Sequence, residues 1–131
     1  MNDPQHLLPP TSDQAVVLVV DDEVVVVNVA RIALERAGYF VLTAENGKEA
    51  LEISRHFPAT IHAVVSDIQM PHMDGLELRE QILTERPGVK MLLISGRETP
   101  NVDGCPFLPK PFNISTLIER VRQLIASSAA A

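Results

Sequence analysis

The five residues Val16–Val20 constrain this chain more than any other stretch, because all are aliphatic and the run stops abruptly at Asp21-Asp22-Glu23. A half-buried strand alternates apolar with polar residues, so an unbroken run predicts a strand covered on both faces. Strands of that kind belong to parallel sheets layered between helices. With Ala15 the run reaches six residues, the longest apolar stretch in the sequence and far too short to cross a bilayer.

Further along, short β-branched runs alternate with helical patterns. Val24–Val27 has the composition of a strand, and after the acidic turn a hairpin is one reading. The continuation Asn28–Ala37, rich in Ala, Leu, Arg and Glu and stopped by Gly38, fits a single helix better. Phe40–Ala44, Ala63–Ser66, Val89–Ser95 and the short Phe107–Leu108 are further strands. Helices are predicted from Asn46-Gly47 to about Phe57, over Leu76–Glu85, and through Ile114, Leu117, Ile118, Val121, Leu124 and Ile125, spaced by three and four. The expected fold is α/β, with a parallel sheet covered by helices on both faces. A chain of 131 residues has room for one such core. Residues 1–14, broken by Pro4, Pro9 and Pro10, are expected to form a leader, residues 15–125 the domain, and residues 126–131 a tail. The leader lacks a basic flank followed by an apolar stretch, so it is not read as a secretory signal, and a cytoplasmic protein is expected.

Seventeen acidic residues against eleven basic ones leave a net charge of −6. That balance opposes direct nucleic-acid binding, which needs a basic face, and suits a domain that gathers a divalent cation. The lone Cys105 excludes an internal disulfide and any multi-cysteine metal site. His6, His56, His62 and His72 show no ligand spacing and receive no function; Met70 and Met73 are read as packing or loop residues rather than ligands.

In doubly wound sheets, chemistry gathers beyond the carboxyl ends of the strands. Those positions hold Asp21 and Asp22, then Asp67, Ser95 and Lys110. Three carboxylates in one crevice repel each other unless a cation joins them, and hard oxygen ligands suit Mg²⁺. A hydroxyl and an ammonium opposite them complete a cradle for a transferring phosphoryl group, with a carboxylate as nucleophile. Taken singly, each residue has a plainer reading: helix cap for Asp21 and Asp22, turn acid for Asp67, loop hydroxyl for Ser95, solvated lysine for Lys110. Their joint placement on successive strand ends favours the phosphoryl site.

The run VVLVVDDE, the motif from Asp67 through Met70-Pro71-His72-Met73-Asp74-Gly75, Ser95, and Lys110-Pro111-Phe112 resemble the response-regulator receiver family of two-component signalling. The likeness covers residues 15–125. It implies a flavodoxin-like, five-stranded sheet of order 2-1-3-4-5, with Asp67 taking a phosphoryl group from a histidine kinase or histidine phosphotransfer protein. It also implies Mg²⁺ held by Asp21, Asp22, Asp67 and the Gln69 carbonyl, and Lys110 on the phosphoryl oxygens. Ser95 and Phe107 would form the switch, although Phe107 is read equally well as a core aromatic. The Lys110–Pro111 peptide is expected to be cis. The domain would signal rather than act as an enzyme, through an unidentified downstream protein, as a monomer or weak homodimer, away from the membrane.

One departure stands out. Gly96–Pro106 spans eleven residues with two prolines and two glycines, so the family's fourth helix is expected to be missing or much shortened. Three other functions remain to be weighed. A haloacid-dehalogenase-like phosphatase would need an acid where Gln69 stands. A flavodoxin-type flavin module would need a phosphate loop where Asp21-Asp22-Glu23 stands. A phosphorylation-independent adaptor would keep only the fold.

Overall fold

In a computed structural model the apolar runs form five strands: β1 (Val16–Val20), β2 (Phe40–Ala44), β3 (Ala63–Asp67), β4 (Lys90–Ser95) and β5 (Phe107–Pro109). They pair in parallel in the order β2-β1-β3-β4-β5. Four helices connect or follow them: α1 (Val24–Arg36), α2 (Gly47–His56), α3 (Gly75–Glu85) and α4 (Ile114–Ala129). The structure describes residues 14–96 and 105–129. The expected leader apart from Gln14, and most of the Gly96–Pro106 segment, lie outside the described residues. Among the described residues, no helix lies between β4 and β5.

The central strand explains its own composition. Val16, Leu18 and Val20 point into a core shared with Ala50 and Leu51 of α2 and Leu78 and Ile82 of α3. Val17 and Val19 point the other way, against Ala30 and Leu34 of α1 and Leu117 and Val121 of α4. With side chains alternating between two apolar layers, no position on β1 tolerates a polar residue.

The valine-rich stretch that could pass for a strand is helical. In α1 only Val27, Ala30, Ala33 and Leu34 are buried, the spacing of one helical face. Val25 is left 73% exposed. Gly38 ends the helix with φ +103°, the left-handed region in which a side chain is strained. At the other end of the chain α4 continues past the expected stop near Ile125 to Ala129. Alanine and serine there carry no helix-breaking signal, unlike glycine or proline.

The edge strand β5 is three residues long, preceded by Pro106 and closed by Pro109. Proline has no N–H to offer another strand, so this edge is poorly suited to pairing with a second sheet.

Two side chains tie the far end of the fold together. The His62 ring Nδ1 accepts the Val16 N–H at 2.9 Å, joining the entrances of β1 and β3. Arg86, just after α3, donates to the Ser54 hydroxyl (2.8 Å) and to the carbonyls of Ser54 (2.7 Å), Phe57 (2.9 Å) and Ala59 (2.9 Å). It thereby satisfies carbonyls in the last turn of α2 and in the segment that follows it. A lysine cannot reproduce this planar fork. Arg86→Lys is expected to lower stability by about 2 kcal/mol, seen as an earlier urea midpoint with an unchanged slope.

Candidate functional site

β1, β3, β4 and β5 end on the same side of the sheet, and their last or next residues are Asp21-Asp22, Asp67, Ser95 and Lys110. Asp21 extends β1, its N–H bonding the Ala44 carbonyl at 3.2 Å, which fixes it against β2. It is fully enclosed, Asp67 is only 6% exposed, and Asp22 faces solvent. The three aspartates each offer a carboxylate oxygen within 4.8 Å of the other two. Lys110 arrives from β5, its main-chain N–H donating to the Ser95 carbonyl at 2.7 Å. That bond couples the buried Ser95 to the lysine. The following Lys110–Pro111 peptide is cis, as the resemblance implies.

The Lys110 ammonium is the hub. It lies 2.9 Å from Asp21 Oδ2, 2.8 Å from Glu23 Oε1 and 3.5 Å from Asp67 Oδ2. Asp21 also accepts the Glu23 N–H through Oδ1 at 2.8 Å, and the Gln69 N–H bonds the Asp67 carboxylate. The structure therefore brings together Asp21, Asp22, Asp67 and Lys110, with Ser95 joined to them through the backbone. Phe107 stands at the start of β5, half-buried and opposite Leu93, three residues before the lysine.

Glu23 has no role in the expected site, yet it makes the shortest of these ion pairs. The signal available in the sequence was an acid directly following two aspartates at a helix start, a place where acids occur for purely local reasons.

The loop from β3 to α3 explains its sequence equally well. Met70 is buried in the core, and the partly buried Met73 packs against the same cluster. His72 takes φ +71° and turns the chain. Asp74 caps α3 in a reciprocal pair, accepting the Glu77 N–H at 2.9 Å while Glu77 accepts the Asp74 N–H at 3.3 Å. Gly75 donates to the Ile68 carbonyl at 2.8 Å. A β-carbon on Gly75 would collide with the Asp67 carbonyl oxygen and lie 2.9 Å from Ile68 Cα. Only glycine lets the helix start press this closely on the strand end that carries Asp67.

Burial pushes the carboxyls of Asp21 and Asp67 above the ordinary range, and the Lys110 ammonium offsets this in part. Lys110 itself feels burial as a pull downward, but its bonds to Glu23 and Asp21 and the charges of Asp21 and Asp67 outweigh it, and its pKa rises. For each aspartate the folded state then binds its proton more tightly than the unfolded chain does. Its contribution to stability is present at low pH and is lost as pH rises from the unfolded carboxylate value through the folded one. In chelator, the melting temperature of the wild type is thus expected to fall relative to Asp67→Asn as pH rises from about 4 towards 7. Parallel melting curves across that range would contradict it.

The donor set fits a hard divalent cation. Asp21, Glu23 and Asp67 pair with one ammonium, Lys110, and Asp22 adds a fourth carboxylate beside them, so the cluster keeps surplus negative charge. Three of them present oxygens at a spacing that one small ion can bridge. No helix among the described residues is long and apolar enough to cross a membrane.

Comparison with known proteins agrees with this geometry. Residues 17–122 match the response regulator receiver domain family. The chain is 36% identical over 121 residues to sensor kinase CckA of Brucella abortus, covering 87% of this chain and 13% of the kinase. It is 31% identical over 116 residues to the probable transcriptional regulatory protein TcrX of Mycobacterium tuberculosis, covering 83% of this chain and 49% of that one. The chain therefore spans half or less of these relatives' length. Among solved structures, the receiver domain of the hybrid histidine kinase CckA is 40% identical with a TM-score of 0.76, covering 85% of this chain and 99% of that domain. The chemotaxis protein CheY4 of Vibrio cholerae is 29% identical with a TM-score of 0.77, covering 85% and 98%. Fold and sequence agree: this chain belongs to the response regulator receiver domain family of two-component systems.

Proposed function

We propose that Asp67 accepts a phosphoryl group from a histidine kinase or a histidine phosphotransfer protein in a Mg²⁺-dependent reaction, and that the acyl phosphate alters a protein-binding surface. The observation that carries this is the placement of one strand-end carboxylate, Asp67, between two further aspartates and a half-buried lysine. Likeness to the receiver domain of a hybrid histidine kinase supports a phosphohistidine donor. In the transfer, an Asp67 carboxylate oxygen bonds to phosphorus. The bond from phosphorus to the donor's imidazole nitrogen breaks, and that nitrogen keeps the electron pair.

The chain's residues divide the remaining work. The Lys110 ammonium offsets in part the cost of burying the Asp67 carboxylate, and it is the cation at hand for a phosphoryl oxygen. Asp21, Asp22 and Asp67 would hold Mg²⁺, with the Gln69 carbonyl as a further ligand; when bound, the ion supplies charge neutralisation for the incoming phosphoryl group. The Ser95 hydroxyl would bond a phosphoryl oxygen, and Phe107 would follow it in the switch. The domain signals and has no substrate of its own to turn over. A cytoplasmic placement and a monomeric or weakly dimeric state belong to the same proposal, with the downstream partner a protein rather than nucleic acid.

Intact-mass measurement after incubation with a small phosphoramidate donor tests the reaction. One phosphoryl adduct that depends on Mg²⁺ is expected. No adduct at any Mg²⁺ concentration would reject phosphoryl acceptance and leave the fold as an interaction module.

A further inference from the structure

We propose that Glu23 is a positioning residue that holds Lys110 back from the acceptor carboxylate in the resting domain, so that phosphoryl capture requires this ion pair to open. It presupposes that Asp67 is the phosphoryl acceptor. The ammonium sits nearer Glu23 (2.8 Å) and Asp21 (2.9 Å) than Asp67 (3.5 Å). The ammonium donates a hydrogen bond to Glu23 Oε1 and is in ion-pair contact with Asp21 Oδ2, and both draw it away from Asp67.

The two holding carboxylates differ in freedom. Asp21 has no exposed side-chain surface and is anchored by the Glu23 N–H, whereas the Glu23 side chain is 63% exposed. Glu23 and Lys110 form one wall of a cleft of about 460 Å³ between α1 and the loop after β5, also lined by Val25, Val29 and Phe112. Glu23 can therefore swing into solvent while Asp21 cannot. When a phosphoryl group arrives on Asp67, its oxygens compete with Glu23 for the ammonium. No covalent bond changes at Glu23 or Lys110; the lysine exchanges one anionic partner for another.

A second observation sets Glu23 apart from an ordinary helix-start acid. It occupies the N-cap of α1, where a side-chain oxygen usually bonds a backbone N–H of the first turn, yet it makes no such bond. Its carboxylate is committed to Lys110 instead.

Glu23→Gln keeps the side-chain shape and removes the charge. At saturating Mg²⁺, phosphoryl uptake from phosphoramidate is expected to rise about two- to five-fold, the range of an exposed ion pair. Added sodium chloride should speed wild-type uptake relative to the variant, because it screens only the pair that the wild type possesses. In the absence of donor, titration with MgCl₂ followed by NMR should show weaker Mg²⁺ binding in the variant, by about two- to five-fold. A nearby carboxylate is gone, and the Lys110 charge then falls wholly on Asp21 and Asp67. A merely structural acid at the helix start would lower the melting temperature slightly and raise neither rate. Uptake that is unchanged or slower in Glu23→Gln would overturn the proposal. If neither protein takes up phosphoryl, the role of Asp67 fails separately, and the MgCl₂ titration decides: weaker binding in the variant upholds the Glu23–Lys110 restraint, and equal binding overturns it.

Discussion

Asp67→Asn is expected to reduce phosphoryl uptake to background while the protein melts no earlier than the wild type in chelator. The amide has nearly the volume of the carboxylate and can still accept the Gln69 N–H that bonds Asp67. It is no nucleophile towards phosphorus, and it is a poorer ligand for a hard cation. Stability should hold or increase because the substitution removes a buried carboxyl whose ionised form burial disfavours. Intact mass with a phosphoramidate donor and thermal melting on the same samples check both halves. Adduct formation in the variant at the wild-type level would move the acceptor to another residue.

Gly75→Ala should damage the site without touching any of its charges. The added carbon meets the Asp67 carbonyl oxygen and Ile68 Cα, both backbone atoms, so no rotamer change relieves the collision. Either α3 retreats or the end of β3 shifts, and the Gly75–Ile68 hydrogen bond of 2.8 Å is lost in the first case. The expected destabilisation is about 2–4 kcal/mol. Because Asp67 must lie in line with the donor, uptake should slow by about ten- to a hundred-fold even where the variant is fully folded. Urea denaturation gives the first number and uptake kinetics at low temperature the second. Wild-type values for both would show that the loop absorbs a methyl group freely.

Much of this was legible from residue patterns. The strands could be read because β1, β3 and β4 are buried on both faces, leaving runs such as Val16–Val20 with no polar interruption. The acids and the lysine could be read because they fall at strand ends, where a parallel sheet gathers its functional groups. α1 was harder, since Val24–Val27 has strand composition and only the continuation to Gly38 argued for helix; packing of Val27, Ala30 and Leu34 decides the matter. The end of α4 was misplaced because Ala and Ser neither stop a helix nor require one. Glu23 and Arg86 escaped notice for a common reason. Each acts through partners distant in sequence, Lys110 in one case and Ser54, Phe57 and Ala59 in the other, and local composition carries no trace of such pairings. His62 likewise reads as an idle histidine until β1 and β3 are laid side by side.

The ion pair between Glu23 and Lys110 closes a loop of 87 residues. The carboxylates of Asp21 and Glu23 follow the first strand of this sheet in chain order, and the ammonium that pairs with them follows its last. A ribosome therefore delivers the acids well before the cation that lets them sit together. Until β5 is in place, the pocket exists only as mutually repelling acids, and the charge arrangement around Asp67 is complete only when the sheet is. Without β5 and the residue that follows it, Asp21, Glu23 and Asp67 lack the Lys110 ammonium that pairs with all three.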